Sequence, residues 1–253
     1  MTKENDKPNP IIKQNMPWEK NDNNIWLAST INLHRNIQKF NFPSKLNMER
    51  RKQVVSLLSK EILSLSVLQN PLLVRAEDIG PLEKEFLVEH FLSNDNFIQA
   101  HSGEAFVVDD SGLFLASFNL RDHLHLQLID CRGELENSWN KLLKIETTVG
   151  QNLSFAYNTK YGFLTADMGN CGTALIVSIY LQLPGLVHTE KLDEVLEKNA
   201  DESIALYGIQ GNPTKIIGDV LVIQNNYSLG VTEETIIANL RSFTTKIIVE
   251  ENA

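Results

Sequence analysis

His123 and His125, two residues apart, are the first side chains whose type and spacing could do chemistry. On a strand, alternate residues point to the same side, so both could face one metal ion. No cysteine or carboxylate stands near them at a matching spacing, so hydrogen-bonded or solvated histidines are expected, and no metal. Cys171, between Asn170 and Gly172, would be a nucleophile only with a depressed thiol pKa, and a structural thiol is expected. Asp109 and Asp110 precede Ser111-Gly112 and read as a hairpin turn. Gly208, Gly211 and Gly218 could cradle a phosphate, yet hairpin corners use the same glycines. The sequence contains no Walker loop, no GxGxxG after a strand, no HExxH and no GxSxG. Generic motifs therefore assign no reaction.

The elements that would carry these residues are legible from period and punctuation. Residues Met1 to Asn24 hold six asparagines and three prolines and bury too little apolar surface to order themselves, so 1–24 reads as a mobile tail. Order is expected from Ile25-Trp26-Leu27 onward, as one domain over 25–253. Val54, Leu57, Leu58, Ile62 and Leu65 recur at helical spacing, and Pro81 opens a second helix carrying Leu82, Phe86, Leu87 and Phe91. Ala105 to Val108 and Leu113 to Phe118 flank the Asp-Ser-Gly turn as a hairpin. His123 to Leu128 alternates leucine with polar residues, which predicts a half-buried strand with both histidines on its polar face. Leu135, Trp139, Leu142 and Leu143 mark a third helix. Ala174 to Leu183 is a nearly unbroken apolar run that ends at Pro184, as a central strand would, and Leu221 to Ile223 is a shorter strand. Thr232 before Glu233 and Glu234 starts a last helix with Ile236, Ile237, Leu240, Phe243, Ile247 and Ile248 on its buried face. Hairpins with scattered helices predict an α+β fold around an antiparallel sheet.

Composition excludes several classes. The chain has 253 residues, 42% of them hydrophobic and 22% charged, which is ordinary globular composition. Lys+Arg 23 against Asp+Glu 32 gives a net charge of −9, which disfavours non-specific binding to nucleic acid or anionic lipid. No apolar run approaches the ~20 residues of a membrane span. The charged N-terminus does not read as a signal peptide, and two cysteines make neither a disulfide framework nor a zinc site. A cytoplasmic protein is expected.

Taken together, several segments resemble one family. Asn119-Leu120-Arg121-Asp122-His123-Leu124-His125-Leu126-Gln127 resembles the pattern Asn-Glu-Glu-Asp-His-Leu-Arg-Ile-Gln of the ATP:guanido phosphotransferases. Gly162 to Thr165, Asn170 to Thr173 and Leu183 to Leu186 resemble the family's Gly-Tyr-Leu-Thr-x-Cys-Pro-Thr-Asn-x-Gly-Thr segment and the strand after it. Asn225 to Gly230 with Thr232-Glu233-Glu234 resembles Ser-Asn-Gln-x-Thr-Leu-Gly-x-Ser-Glu-Glu, and Ser29 to Asn36 more weakly resembles Ser-Arg-x-Arg-Leu-Ala-Arg-Asn. Order and spacing agree over roughly Ile25 to Phe243. The resemblance is greatest to bacterial protein-arginine kinases. It implies a twisted antiparallel sheet flanked by helices, the glutamine-synthetase-like fold of guanido kinase catalytic domains, with the ATP site on the sheet face. Because the sequence shows neither a separate N-terminal helical domain nor a C-terminal one, a catalytic core alone is expected.

Such enzymes move the γ-phosphoryl of Mg-ATP onto a guanidinium nitrogen, and catalysis rests on positioning and charge neutralisation. The family supplies arginines around the phosphates, two glutamates that align the guanidinium, and a cysteine beside it. By resemblance, the arginine positions fall on Thr30, Asn32, His125, Ile176 and, in the less certain register of 204–218 anchored on Gly208, Gly211 and Gly218, Tyr207. The glutamates fall on Arg121 and, in the less certain register of 204–218, Asn212; the cysteine falls on Asp167. None keeps the family residue. Arg35, Asn36, Asn119, Asp122, His123, Asn170, Gly172, Thr173 and Gly218 are retained and read as fold-supporting. Charge-assisted hydrogen bonds contribute ~1.5–3 kcal/mol each, so losing four or five arginine contacts removes ~6–15 kcal/mol of phosphate binding. Arg121 would repel a guanidinium ~4 Å away by ~4 kcal/mol at an effective dielectric of about 20. A degenerate kinase acting as a binding or regulatory module is therefore expected, with ATP and Mg2+ implied by the family but poorly provided for. An active protein-arginine kinase with relocated ligands, such as Lys215 or Arg35, is the alternative. By analogy the partners would be a zinc-binding adaptor and the Clp protease machinery. By the resemblance Arg121 and Asp167 both fall beside the substrate guanidinium, so either they pair and plug the pocket or they are two independent surface substitutions with no contact.

Overall fold

The computed structural model describes residues 16, 18, 23–91, 101–212 and 216–253. The tail expected over 1–24 lies almost wholly outside them, as does Lys215. Strand β1 (Trp26–Arg35) is followed by α1 (Met48–Leu63), β2 (Leu72–Arg75) and α2 (Pro81–His90). Then come β3 (Ala105–Val108), β4 (Phe114–Phe118), β5 (Leu124–Asp130) and α3 (Leu135–Asn152). A small hairpin of β6 (Tyr157–Asn158) and β7 (Gly162–Phe163) precedes β8 (Leu175–Gln182). The chain continues through α4 (Pro184–His188), α5 (Leu192–Lys198), β9 (Ile204–Gly208), β10 (Val220–Asn225) and α6 (Glu233–Glu251).

Among the described residues, eight strands form one sheet in the order β2-β3-β4-β5-β1-β8-β10-β9, and each neighbouring pair is antiparallel. The predicted α+β class with an antiparallel sheet is what the chain forms. One face is mainly apolar. Ile31, Leu33, Leu126, Leu128, Val177, Ile179, Leu221 and Ile223 pack there against Val54, Leu58 and Ile62 of α1, the Trp139-Leu142-Ile145 stripe of α3, and Ile236, Leu240, Phe243 and Ile247 of α6. The starts of α2 and α6 follow the sequence signals. Asn47 caps α1 by accepting from Arg50 N, Pro81 occupies the first turn of α2, and Thr232 caps α6 by accepting from Thr235 N.

The second face is divided. Leu87 and Phe91, with Ala76 and Ile79, cover Phe106, Val108, Leu115, Ile129 and Ala28 at the β2–β4 side. Beyond that cover, the face over β5, β1, β8 and β10 is lined mainly by polar side chains, with Ile176 and Val222 among them. This corrects the half-buried reading of β5. The strand lies inside the sheet, and its polar side forms part of a cavity floor. His123 precedes β5 and turns away into the core.

Candidate functional site

Strand alternation builds the floor of that cavity. Thr30, Asn32 and His34 of β1 stand beside His125 and Gln127 of β5, Ile176, Ser178 and Tyr180 of β8, and Val222 and Gln224 of β10. Register sets the rows: Asn32 lies between Gln127 and Ile176, Ser178 between Thr30 and Gln224, and Val222 between Tyr180 and Tyr207 of β9. Leu120, Arg121 and Asp122 from the β4–β5 loop, Asp167 and Asn170 from the segment before β8, and Ile209 and Gly211 after β9 make the walls. The cavity is open to solvent and has a volume of about 430 Å³.

The floor is uncharged and internally bonded. His125 Nε2 lies 2.9 Å from Asn32 Oδ1, and Asn32 Nδ2 donates to Thr30 Oγ1 at 3.4 Å. Ser178 Oγ donates to Gln224 Oε1 at 3.0 Å. The imidazoles of His34 and His125 stack with centroids 4.6 Å apart and planes inclined by 6°. His34 Nδ1 lies 3.3 Å from Asp122 Oδ2. Burial, reinforced by the neighbouring His34, pushes the His125 pKa well below the ordinary imidazole value, although Asp122 pulls the other way. Burial would raise the Asp122 carboxyl. The nearby His34 imidazole, with hydrogen bonds from Asn36 and the Ala166 N–H, outweighs it and holds the group below its ordinary value.

The pocket gathers most of the positions singled out above. Thr30, Asn32, His125, Ile176, Tyr207, Arg121 and Asp167 all line it. Asn212 does not; its carbonyl accepts from Gly208 N at 2.8 Å and closes the turn after β9. The plug is not formed. Asp167 caps the short turn Met168–Asn170, accepting from Gly169 N at 3.0 Å, and makes no ion pair with Arg121 within 4.0 Å. Among the described residues, no group of three or more His, Cys, Asp or Glu is placed to hold a metal ion. The two strand histidines do not converge: His123 Nδ1 accepts from Ile37 N at 3.0 Å, with Nε2 2.9 Å from Asn41 O. Cys171 is buried, with Sγ 3.5 Å from Thr165 Oγ1.

Comparison with known proteins gives the architecture a family. The profile of the ATP:guanido phosphotransferase C-terminal catalytic domain matches residues 53–253. The chain belongs to this family. A protein-arginine kinase of Chlamydia pneumoniae is 31% identical over 255 residues, spanning 100% of this chain and 70% of that protein. One from Chlamydia muridarum is 34% identical over 223 residues, spanning 88% of this chain and 62% of that protein. The duplicated taurocyamine kinase of Schistosoma mansoni, solved with bound transition-state-analogue components, superposes with a TM-score of 0.79 at 22% identity. That match covers 96% of this chain and 35% of the other. Lombricine kinase gives 0.76 at 20% identity, covering 96% and 70%. The chain is thus a protein-arginine-kinase-like guanido phosphotransferase domain.

In this domain of the guanido phosphotransferase family, the residues that the resemblance marks as retained are tied into the scaffold around the pocket. Arg35 is buried and donates through Nε to Glu146 Oε1 at 2.7 Å and through Nη1 to the carbonyls of His34 and Thr173. Its guanidinium also lies 3.5 Å above the Phe163 ring. Asn36 donates to Asp122 Oδ1 at 2.6 Å and accepts from His123 N at 2.9 Å. Asn119, at φ +61°, bridges the carbonyls of Arg51 and Gly103. Thr173 Oγ1 donates to Ser228 O at 3.2 Å, while Asn170 faces the pocket. His34, Gln127, Ser178, Tyr180 and Gln224 were missed from the sequence. Their signal was present as alternation with the buried Leu33, Leu126, Val177, Ile179 and Ile223.

Proposed function

We propose that this domain is a pseudokinase, a guanido-phosphotransferase fold that serves as a binding or regulatory module without phosphoryl transfer. The ionic lining of the pocket carries the reading. Among the described residues it contains one arginine, Arg121, and two carboxylates, Asp122 and Asp167. A triphosphate with its Mg2+ needs convergent cationic donors, and this lining does not fit it. The positions that the resemblance assigns to arginines carry Thr30, Asn32, His125, Ile176 and Tyr207. Arg35 is no substitute, because it is buried, with Nε and Nη1 engaged inside the scaffold, and does not line the pocket.

The alternative, an active protein-arginine kinase, draws support from the names of the relatives. The chain spans 62–70% of the two Chlamydia proteins, so activity and partners of a whole protein belong to this proposal alone. Family analogy points to an adaptor and the Clp protease machinery as partners, in the cytoplasm. No helix among the described residues is long and apolar enough to cross a membrane.

Calorimetric titration with Mg-ATP at low salt, paired with a phosphoarginine assay on a protein substrate, tests the reading. No saturable heat up to millimolar nucleotide and no phosphoarginine are expected. Saturable binding with phosphoarginine formation would establish the kinase alternative.

A further inference from the structure

Arg121 is exposed at the wall of the open cavity, and no hydrogen bond or ion pair engages its side chain among the described residues. In a chain of net charge −9 a free guanidinium at a pocket wall is an offered charge. Asp122 does not compete for it, because its oxygens already face Asn36 Nδ2, Ala166 N and His34 Nδ1. Asp167 stays beyond ion-pair distance and binds Gly169 N. One guanidinium forms one two-pronged pair with a carboxylate. A phosphate dianion would call for a second cation, and the described lining has none.

The rest of the lining narrows the ligand further. Thr30, Asn32, Ser178 and Gln224 carry hydroxyls and carboxamides that both donate and accept, and the bonds among them and to His125 use only part of that capacity. Ligand hydroxyls have the same dual character, so such a floor suits a polyol better than an apolar or multiply charged body. Tyr207 alongside supplies an apolar face for C–H groups. A volume of about 430 Å³ accommodates a six-carbon chain or ring. We propose that the pocket binds a small polyhydroxylated carboxylate, a sugar acid, with its carboxylate on Arg121 and its hydroxyls on the amide and hydroxyl floor. This rests on the reading that the pocket no longer serves Mg-ATP.

The test uses the full chain and gluconate as probe, with sorbitol as its uncharged counterpart, followed by calorimetry and amide chemical shifts. Gluconate should saturate and shift signals of the floor residues, and sorbitol should bind ~10-fold more weakly. Arg121→Gln should weaken gluconate by ~10-fold and leave sorbitol unchanged, while Asp167→Asn should strengthen gluconate by removing a nearby negative charge. Equal binding of gluconate and sorbitol, an unaffected Arg121→Gln variant, or no gluconate binding at millimolar concentration would overturn the proposal. Those failures leave the pseudokinase reading standing, since Mg-ATP binding and phosphoarginine formation decide it separately.

Discussion

Asp122 is the residue on which the pocket wall depends. Its carboxylate accepts from Asn36 Nδ2 at 2.6 Å and from Ala166 N at 2.7 Å, linking the residue that follows β1, the β4–β5 loop and the segment leading to β8. Burial works against the ionised form, yet these donors and His34 leave the pKa below the ordinary aspartate value. The unfolded chain therefore takes up a proton more readily than the folded one. The charge contributes stability that is complete above pH ~4 and is lost as pH falls through the folded value. Asp122→Asn keeps the shape and removes the charge, so it should destabilise by ~1–3 kcal/mol at pH 7 in urea unfolding. The gap from the unmodified protein should narrow at pH 3. An equal gap at both pH values would mean that the ionised form contributes nothing. The resemblance marked Asp122 as a supporting residue; its bonding partners come from distant segments and had no signature in the local sequence.

At the scale of elements, the small β6–β7 hairpin and the loop after β10 meet at Gly172. Gly172 has φ +112°, and a Cβ there would lie 2.1 Å from Ser228 O and 2.7 Å from Leu229 Cα. Both neighbours are backbone and cannot rotate away. Gly172→Ala should destabilise by ~2–4 kcal/mol through strain and collision together. Gly218, at φ +64° with open space around it, should lose only ~1–2 kcal/mol on the same change, from conformation alone. Thermal unfolding of the two variants separates the effects, and equal losses would refute the contact argument. The same distinction explains which elements were legible. α1, α3 and α6 carry their stripes and, for α1 and α6, their caps in consecutive sequence. α4 is only Pro184–His188, and the Glu251 carboxylate accepts from its Gly185 and Leu186 N–H groups 65 or more residues away. β6 and β7 are two-residue strands, too short to show any period. The face of β5 was misjudged because alternation reports which residues share a side. It cannot report whether that side meets water, helix α2 or a cavity.

Across the whole molecule, burial disfavours the protonated form of three histidines, while the buried carboxyls of Glu104 and Asp130 are shifted the other way, toward easier protonation. Burial lowers the pKa of His90, His123 and His125 alike, against the pull of the Gly112 carbonyl for the first, and of Asn41 O and Asp122 for the second. For His125 the stacked His34 adds to burial, and Asp122 opposes it. Below the unfolded value of ~6.5 the unfolded chain binds protons that the folded chain refuses. Their stability contribution is complete above pH ~6.5 and declines as pH falls toward the folded values. Each histidine that stays neutral contributes a slope of up to ~1.4 kcal/mol per pH unit. The net charge of −9 acts in the opposite sense, because acidification relieves self-repulsion. That repulsion is spread over the surface and screened at ordinary salt, whereas the histidines titrate in protected sites, so the histidines should win. Urea unfolding at 0.15 M salt should give a lower stability at pH 5.5 than at pH 7.0. His125→Gln should flatten the slope by removing one of the three groups. A stability that stays level or rises on acidification would show that surface charge and the buried carboxyls, not the buried imidazoles, control the response of this fold to pH.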